Sequence, residues 1–173
     1  MDIFEAISKR HSVRQFHGNR PIDDSVVRNI LEAGIKAPSA GNGQPWHFVV
    51  VRDQNLKHRL AVEAGHQPFI AQAPVTIVVC ADLDRAERNY GQRGRHTYAL
   101  QDTAAAIENM LLATCALGLG ACWVGAFDEG VAASILGLPG HLRPLAILPI
   151  GVPAEPAVRV PPRRALREVT TFR

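Results

Sequence analysis

Helical and strand patterns alternate along the chain, which predicts one mixed domain of helices and sheet without a Rossmann dinucleotide site. Three observations carry this. The 173 residues suit a single domain, 1–173. The patterns run α, α, β, α, β, long α, β, α, β and then a tail. The glycines after the long helix, Gly118-x-Gly120-x-x-Trp123, miss the GxGxxG fingerprint at its last position. Leu, Ile, Val and Phe supply 48 residues. That is about 28% of the chain, above the roughly 20% that marks disorder.

Residues 2–9 read as the first helix, with Ile3, Ala6 and Ile7 at helical spacing. Residues 10–16 read as extended. The capping cluster Asp23–Ser25 opens a second helix, whose apolar stripe runs through Val26, Val27, Ile30, Leu31 and Ile35 until Pro38. A loop over 37–45 holds two glycines and two prolines. β-Branched and aromatic residues make 46–52 a strand, and a short helix follows as far as Gly65. The apolar run 74–81 predicts a strand covered on both faces. Residues 82–97 are polar and Arg-rich, a loop or an exposed helix. The helix over 98–117 is apolar nearly all round, so it belongs at the centre of the fold or at an interface. Residues 121–127 and 144–151 read as the third and fourth strands, separated by a helix capped by Asp128. In the tail, 152–173, Val158, Val160, Leu166, Val169 and Phe172 are apolar and need something to cover them.

Charge and cysteine usage exclude several classes. The net charge is +3, but Arg outnumbers Lys 16 to 3, gathering at 10–20, 85–95 and 159–173. Single aromatics (Phe16, Tyr90 with nearby Tyr98, Phe172) mark the basic runs and form no aromatic-interleaved patch, so no nucleic-acid partner is expected. Cys80, Cys115 and Cys122 form no CxxC and sit in apolar runs, as buried free thiols of a reducing cytoplasm. The acidic start Met1-Asp2-Ile3-Phe4-Glu5 is unlike a secretory signal, and no run reads as a membrane span. The seven His are scattered, so no metal site is expected.

Four constellations could carry chemistry. Arg10, Ser12 and Arg14 share one face if 10–16 is extended, which makes a phosphate clamp or a polar edge strand. Asn42 and Gln44, between glycines, suit the mixed donor and acceptor edge of a flat heterocycle; alternatively they bond each other in a tight loop. Trp123-Val124-Gly125-Ala126-Phe127 either offers backbone N–H groups to a ligand or packs tightly on a helix. Pro161-Pro162-Arg163-Arg164 is a second phosphate contact or a solvated linker. There is no nucleophile elbow, HExxH, P-loop or carboxylate dyad, so a reactive group would come from a cofactor.

Taken together, the sequence resembles the FMN-dependent nitroreductase family. Lys9-Arg10-His11-Ser12-x-Arg14-x-Phe16 is similar to its flavin-phosphate motif. Ala37-Pro38-Ser39-Ala40-Gly41-Asn42-x-Gln44-Pro45-Trp46 is the most specific match. Gln101-Asp102-x-Ala104-Ala105-Ala106-Ile107-Glu108-Asn109 resembles the start of the family's central helix. Gly118-Leu119-Gly120-x-x-Trp123-Val124-Gly125 and Pro149-Ile150-Gly151-x-Pro153 match later strands.

The resemblance implies an α+β fold, with a central mixed or antiparallel sheet between helices in three layers. It implies a homodimer with FMN at the interface and a C-terminal tail extended onto the partner. Arg10, Ser12 and Arg14 would hold the FMN phosphate and ribityl chain, and Arg163 or Arg164 would reach the phosphate. Pro38, Ser39, Ala40, Asn42 and Gln44 would line the ring or its side chain. Gly125 and Ala126 would place backbone N–H groups near the flavin N5. The implied chemistry is ping-pong: NADH or NADPH reduces FMN, then a nitroaromatic or quinone acceptor takes the electrons. The alternatives are a dedicated biosynthetic flavin dehydrogenase or oxidase, and a non-catalytic FMN-binding protein.

Overall fold

A computed structural model describes residues 1–154 and 161–173. Helix α1 spans Ile3–Lys9, held at its start by a capping box between Asp2 and Glu5. Of its apolar stripe only Ala6 is buried; Ile3, Phe4 and Ile7 face outward. Helix α2 (Asp24–Ile35) buries Val27, Ile30 and Gly34. A short 3-10 turn at Ala40–Asn42 leads into β1 (Trp46–Val51). Helix α3 (Gln54–Arg59) continues through a π turn, and α4 (Phe69–Gln72) follows, an element the sequence reading did not separate. Buried Lys57 explains the pairing of α3 with α4: its Nζ donates to the Ala73 carbonyl at 2.7 Å, just past the end of α4.

Strand β2 (Val75–Asp82) is buried along nearly its whole length, as its unbroken apolar run predicts. Helix α5 (Leu83–Arg93) runs through a π turn at Gly94–Tyr98 into α6 (Ala99–Ala116). The Arg-rich segment is therefore mostly helical, kinked at Gly91 (φ 54°), and the Asp82 side chain caps it at Arg85 N, 2.9 Å away. After β3 (Gly120–Ala121) come α7 (Glu129–Leu136) and β4 (Leu142–Gly151). In the tail, α8 is the single turn Leu166–Val169.

The third strand is shorter than the 121–127 predicted. Its neighbour in β4 at the critical point is Pro149, which has no N–H to give. Pairing survives beyond β3 only as contacts such as Val124 N to Ile147 O at 3.0 Å. The fourth strand starts two residues earlier than predicted.

The four strands are ordered β1-β2-β4-β3, and every neighbouring pair is antiparallel. Alternation along β2 divides the core. Val75, Ile77 and Val79 pack with α2 and α6 on one face. Val78 and Cys80 pack on the other with Leu60, Ile70 and the α7 residues Ala132 and Ile135. The result is the expected three-layer α+β arrangement. Residues 12–16 extend it: Ser12 pairs with Ala121, and Phe16 with Pro153.

Cys80 and Cys122 are buried free thiols, while Cys115 is only half-buried, contrary to expectation, because it lies on the outer side of α6. Burial pushes the Cys80 thiol up to about 12, so it stays protonated at neutral pH. Val158 and Val160 lie outside the described residues. Leu166, Val169 and Phe172 are exposed, Phe172 at 91%. Among the described residues, the hydrogen bonds of 161–173 stay within that segment.

Candidate functional site

The first cluster forms where 12–14 meets β3. Val13 donates its N–H to Ala121 O at 2.9 Å and buries its side chain. That turns the flanking Ser12 and Arg14 outward. Arg14 has no hydrogen-bond or ion-pair partner among the described residues. Cys122 sits behind them: burial raises its thiol pKa, opposed by the Arg14 charge and by a hydrogen bond with Ser12. Arg10 behaves differently. It caps α1, and its guanidinium lies 3.4 Å from the Glu108 carboxylate on α6. So two of the three predicted clamp residues share an open edge, with Arg10 to one side.

Gly125 and Ala126 follow on the same stretch of chain, exposed past the Val124 contact. Nothing crowds Gly125: an added Cβ would meet only Trp123, at 3.7 Å. The Ala126 carbonyl accepts a hydrogen bond from Gln67 Nε2 at 3.2 Å. Backbone here is open to a flat ligand.

The second cluster is the turn before β1, with Pro38, Ser39, Ala40, Asn42 and Gln44. Gly41, Asn42 and Gln44 all have positive φ, 55°, 55° and 51°. Two of these are not glycine, so the turn is strained. Gln44 N donates to Ser39 Oγ at 3.0 Å, closing it. The Gln44 amide is spent on Asn42 Oδ1, at 3.1 Å, as the tight-loop reading has it. Asn42 keeps its own Nδ2 group without a partner among the described residues. Ala40 N donates to Asp102 Oδ1 at 3.1 Å, Arg85 Nε donates to the Gly43 carbonyl, and Tyr90 lies over Gly41.

Among the described residues, no hydrogen bond or ion pair joins the two clusters. The turn is tied to Asp102 in the first turn of α6. Ser12 is tied to Ala121, five residues past the last residue of α6. Val13 shares a pocket with Leu111 and Cys115, which lie about 14–20 Å along α6 from Asp102. The third group is apart again: Arg163 bonds Pro161 O at 3.0 Å and Arg164 bonds Glu168 O at 3.0 Å, both exposed in the tail.

The sequence reading gave no role to Asp102, Arg85, Tyr90 or Gln67. Asp102 carried a signal, being the one acidic residue in the first turn of an otherwise apolar helix. The basic run at 85–95 is partly neutralised, since Arg95 pairs with Glu87 at 2.9 Å and Asp84 at 3.3 Å. Among the described residues no cluster of His, Cys, Asp or Glu could hold a metal ion. Among the described residues no helix is long and apolar enough to cross a membrane.

Known proteins resemble this chain in sequence and fold. The family model described as "Nitroreductase family" matches residues 7–65 and 57–152. A protein of Thermus thermophilus named NADH dehydrogenase is 33% identical over 196 residues, covering 96% of this chain and 95% of its own. A protein of Bacillus subtilis named FMN reductase [NAD(P)H] is 28% identical over 188 residues, covering 99% of this chain and 74% of its own. The crystal structure of a nitroreductase family protein from Clostridium novyi NT superposes with a TM-score of 0.80 at 32% identity, covering 90% of this chain and 87% of that one. With the family match running from the first cluster through the turn to the last strand, this chain belongs to the nitroreductase family.

Proposed function

We propose that this nitroreductase-family oxidoreductase binds FMN between two copies of itself and passes electrons from NADH or NADPH to a nitroaromatic or quinone acceptor. The observation that carries the reading is that the two clusters sit on different stretches of α6, the turn at Asp102 and residues 10–13 beside Glu108, Leu111 and Cys115. Each holds half of what a flavin nucleotide needs. Ser12 and Arg14 offer hydroxyl and guanidinium donors to a phosphate, and the turn offers Asn42 and open backbone to a ring edge. A second copy brings the turn of one chain to the Ser12 and Arg14 of the other.

An apolar groove of about 360 Å³ supports a second copy. It is lined by Ile3, Ala6, Ala33, Leu112, Ala113 and Ala116, beside the exposed side chains of Phe4 and Ile7. The exposed tail would then lie on the partner, carrying Arg163 or Arg164 to its phosphate. The relatives named FMN reductase and NADH dehydrogenase support the cofactor and the donor. The free thiols fit a cytoplasmic setting.

FMN, when bound, supplies the group that accepts hydride and yields electrons to the acceptor. The chain's own residues bind and orient. Arg14 and Ser12 hold the phosphate end. Gly125 and Ala126 aim backbone N–H groups at the reacting edge. The absent side chain at Gly125 leaves room for donor and acceptor to use one space in turn. Anaerobic absorption spectra of protein purified without added flavin test this. A flavin spectrum that bleaches on adding NADH or NADPH is expected. A colourless protein that takes up no added FMN would overturn it.

A further inference from the structure

We propose that Asp102 is a positioning residue for the flavin: by accepting the Ala40 N–H it holds the 39–44 turn in the shape that presents Asn42 and its neighbouring backbone to the ring. This rests on the FMN reading above. Asn42 and Gln44 adopt left-handed backbone that non-glycine residues avoid, and such a turn relaxes unless its surroundings fix it. Besides the Gln44 side chain's bonds to Asn42 and two backbone bonds inside the turn, four contacts fix it. Gln44 N to Ser39 Oγ closes the turn on itself. The other three come from the α5–α6 segment. Arg85 donates to Gly43 O, and Tyr90 covers Gly41 so closely that an added Cβ would lie 2.8 Å from its hydroxyl. Tyr90 is itself packed edge-to-face on Tyr98, with ring centroids 5.0 Å apart. Asp102 is the one charged acceptor among the four contacts, and it joins residues 62 apart in sequence.

Asp102 is also unusual in its setting. It is 8% exposed and has no ion-pair partner among the described residues. Burial raises its carboxyl pKa, and the Ala40 N–H opposes that. Its one hydrogen bond among the described residues goes not to its own helix but to the Ala40 N–H. What it does hold is the backbone of Ala40, at the point where the chain enters its left-handed stretch. The α5–α6 segment, including the Arg-rich run that no sequence motif explains, is then the brace of the ring-side turn.

The test compares D102A with D102N in the full chain. Asparagine keeps an acceptor oxygen; alanine removes it. Three quantities are read: the FMN dissociation constant, the visible circular dichroism of the bound flavin, and amide exchange at residues 40–43 in the flavin-free protein. The expected result is that D102A raises the constant about tenfold. It also changes the visible signal and speeds exchange at 40–43. D102N restores all three to near wild type. A D102A that binds FMN with wild-type constant and signal would overturn the proposal, as would a D102N as impaired as D102A. Should D102A fail to fold, D102N against S39A decides. Loosened binding in S39A with retained binding in D102N supports the brace, and weakened binding in D102N overturns it. Wild-type protein that takes up no FMN would overturn the flavin reading itself, a result distinct from either variant matching wild type.

Discussion

Arg14→Ala weakens FMN binding by roughly 10- to 100-fold while leaving thermal unfolding of the flavin-free protein unchanged. The Arg14 side chain is exposed and has no partner among the described residues, so its removal costs no fold contact. Its guanidinium meets a phosphate dianion through charge-assisted hydrogen bonds, each worth about 1.5–3 kcal/mol. That range gives the fold-change. Arg14→Lys keeps the charge but not the planar fork and recovers only part of it. Flavin titrations of the three proteins at two salt concentrations check this, since part of the wild-type affinity is screened by salt.

Gly120→Ala has the opposite profile, lowering stability and flavin binding together. A Cβ at Gly120 would lie 2.7 to 2.9 Å from three side-chain carbons of Val13. Val13 cannot retreat easily. It is branched at Cβ and buried, and its N–H is held by Ala121 O at 2.9 Å. Overpacking of this kind costs about 1–3 kcal/mol. For a chain of this size that is a fall in Tm of roughly 2–10 °C. Any relief must push residues 12–14 off β3, which moves Ser12 and Arg14. Calorimetry and flavin titration on the same preparation read both effects. A Gly120→Ala protein with wild-type Tm would contradict the packing described for this edge.

The sequence was most legible where local chemistry decides. β1 and β2 follow from runs of branched apolar residues, α1 from the helical spacing of Ile3, Ala6 and Ile7, and α7 begins where Asp128 caps it. The extended 12–14 segment was legible too, and with it the outward pair Ser12 and Arg14. Legibility fails where a distant partner decides. β3 stops at Ala121 because of Pro149, a residue on another strand. The 82–97 segment is ambiguous by composition, and its helical state follows from the Asp82 cap and from running straight into α6. The approach of Arg10 to Glu108, 98 positions away, has no local signature either. The brace from Asp102 to Ala40 is likewise a tertiary contact with no local signature. So the residue types of both clusters are readable in sequence, while their places along α6 are not.

That placement is the centre of the functional reading, and a hybrid dimer tests it most directly. Arg14→Ala and Asn42→Ala chains, differently tagged, are co-expressed, and the mixed dimer is purified through both tags. Each variant alone damages every site. In the mixed dimer one site receives both substitutions and the other receives neither, if the two residues reach a flavin from different chains. The result predicted is one FMN bound per mixed dimer with wild-type affinity, while both parent proteins bind weakly. A mixed dimer that binds FMN no better than its parents would place Arg14 and Asn42 at the same site from the same chain, and would contradict an FMN site shared between two copies.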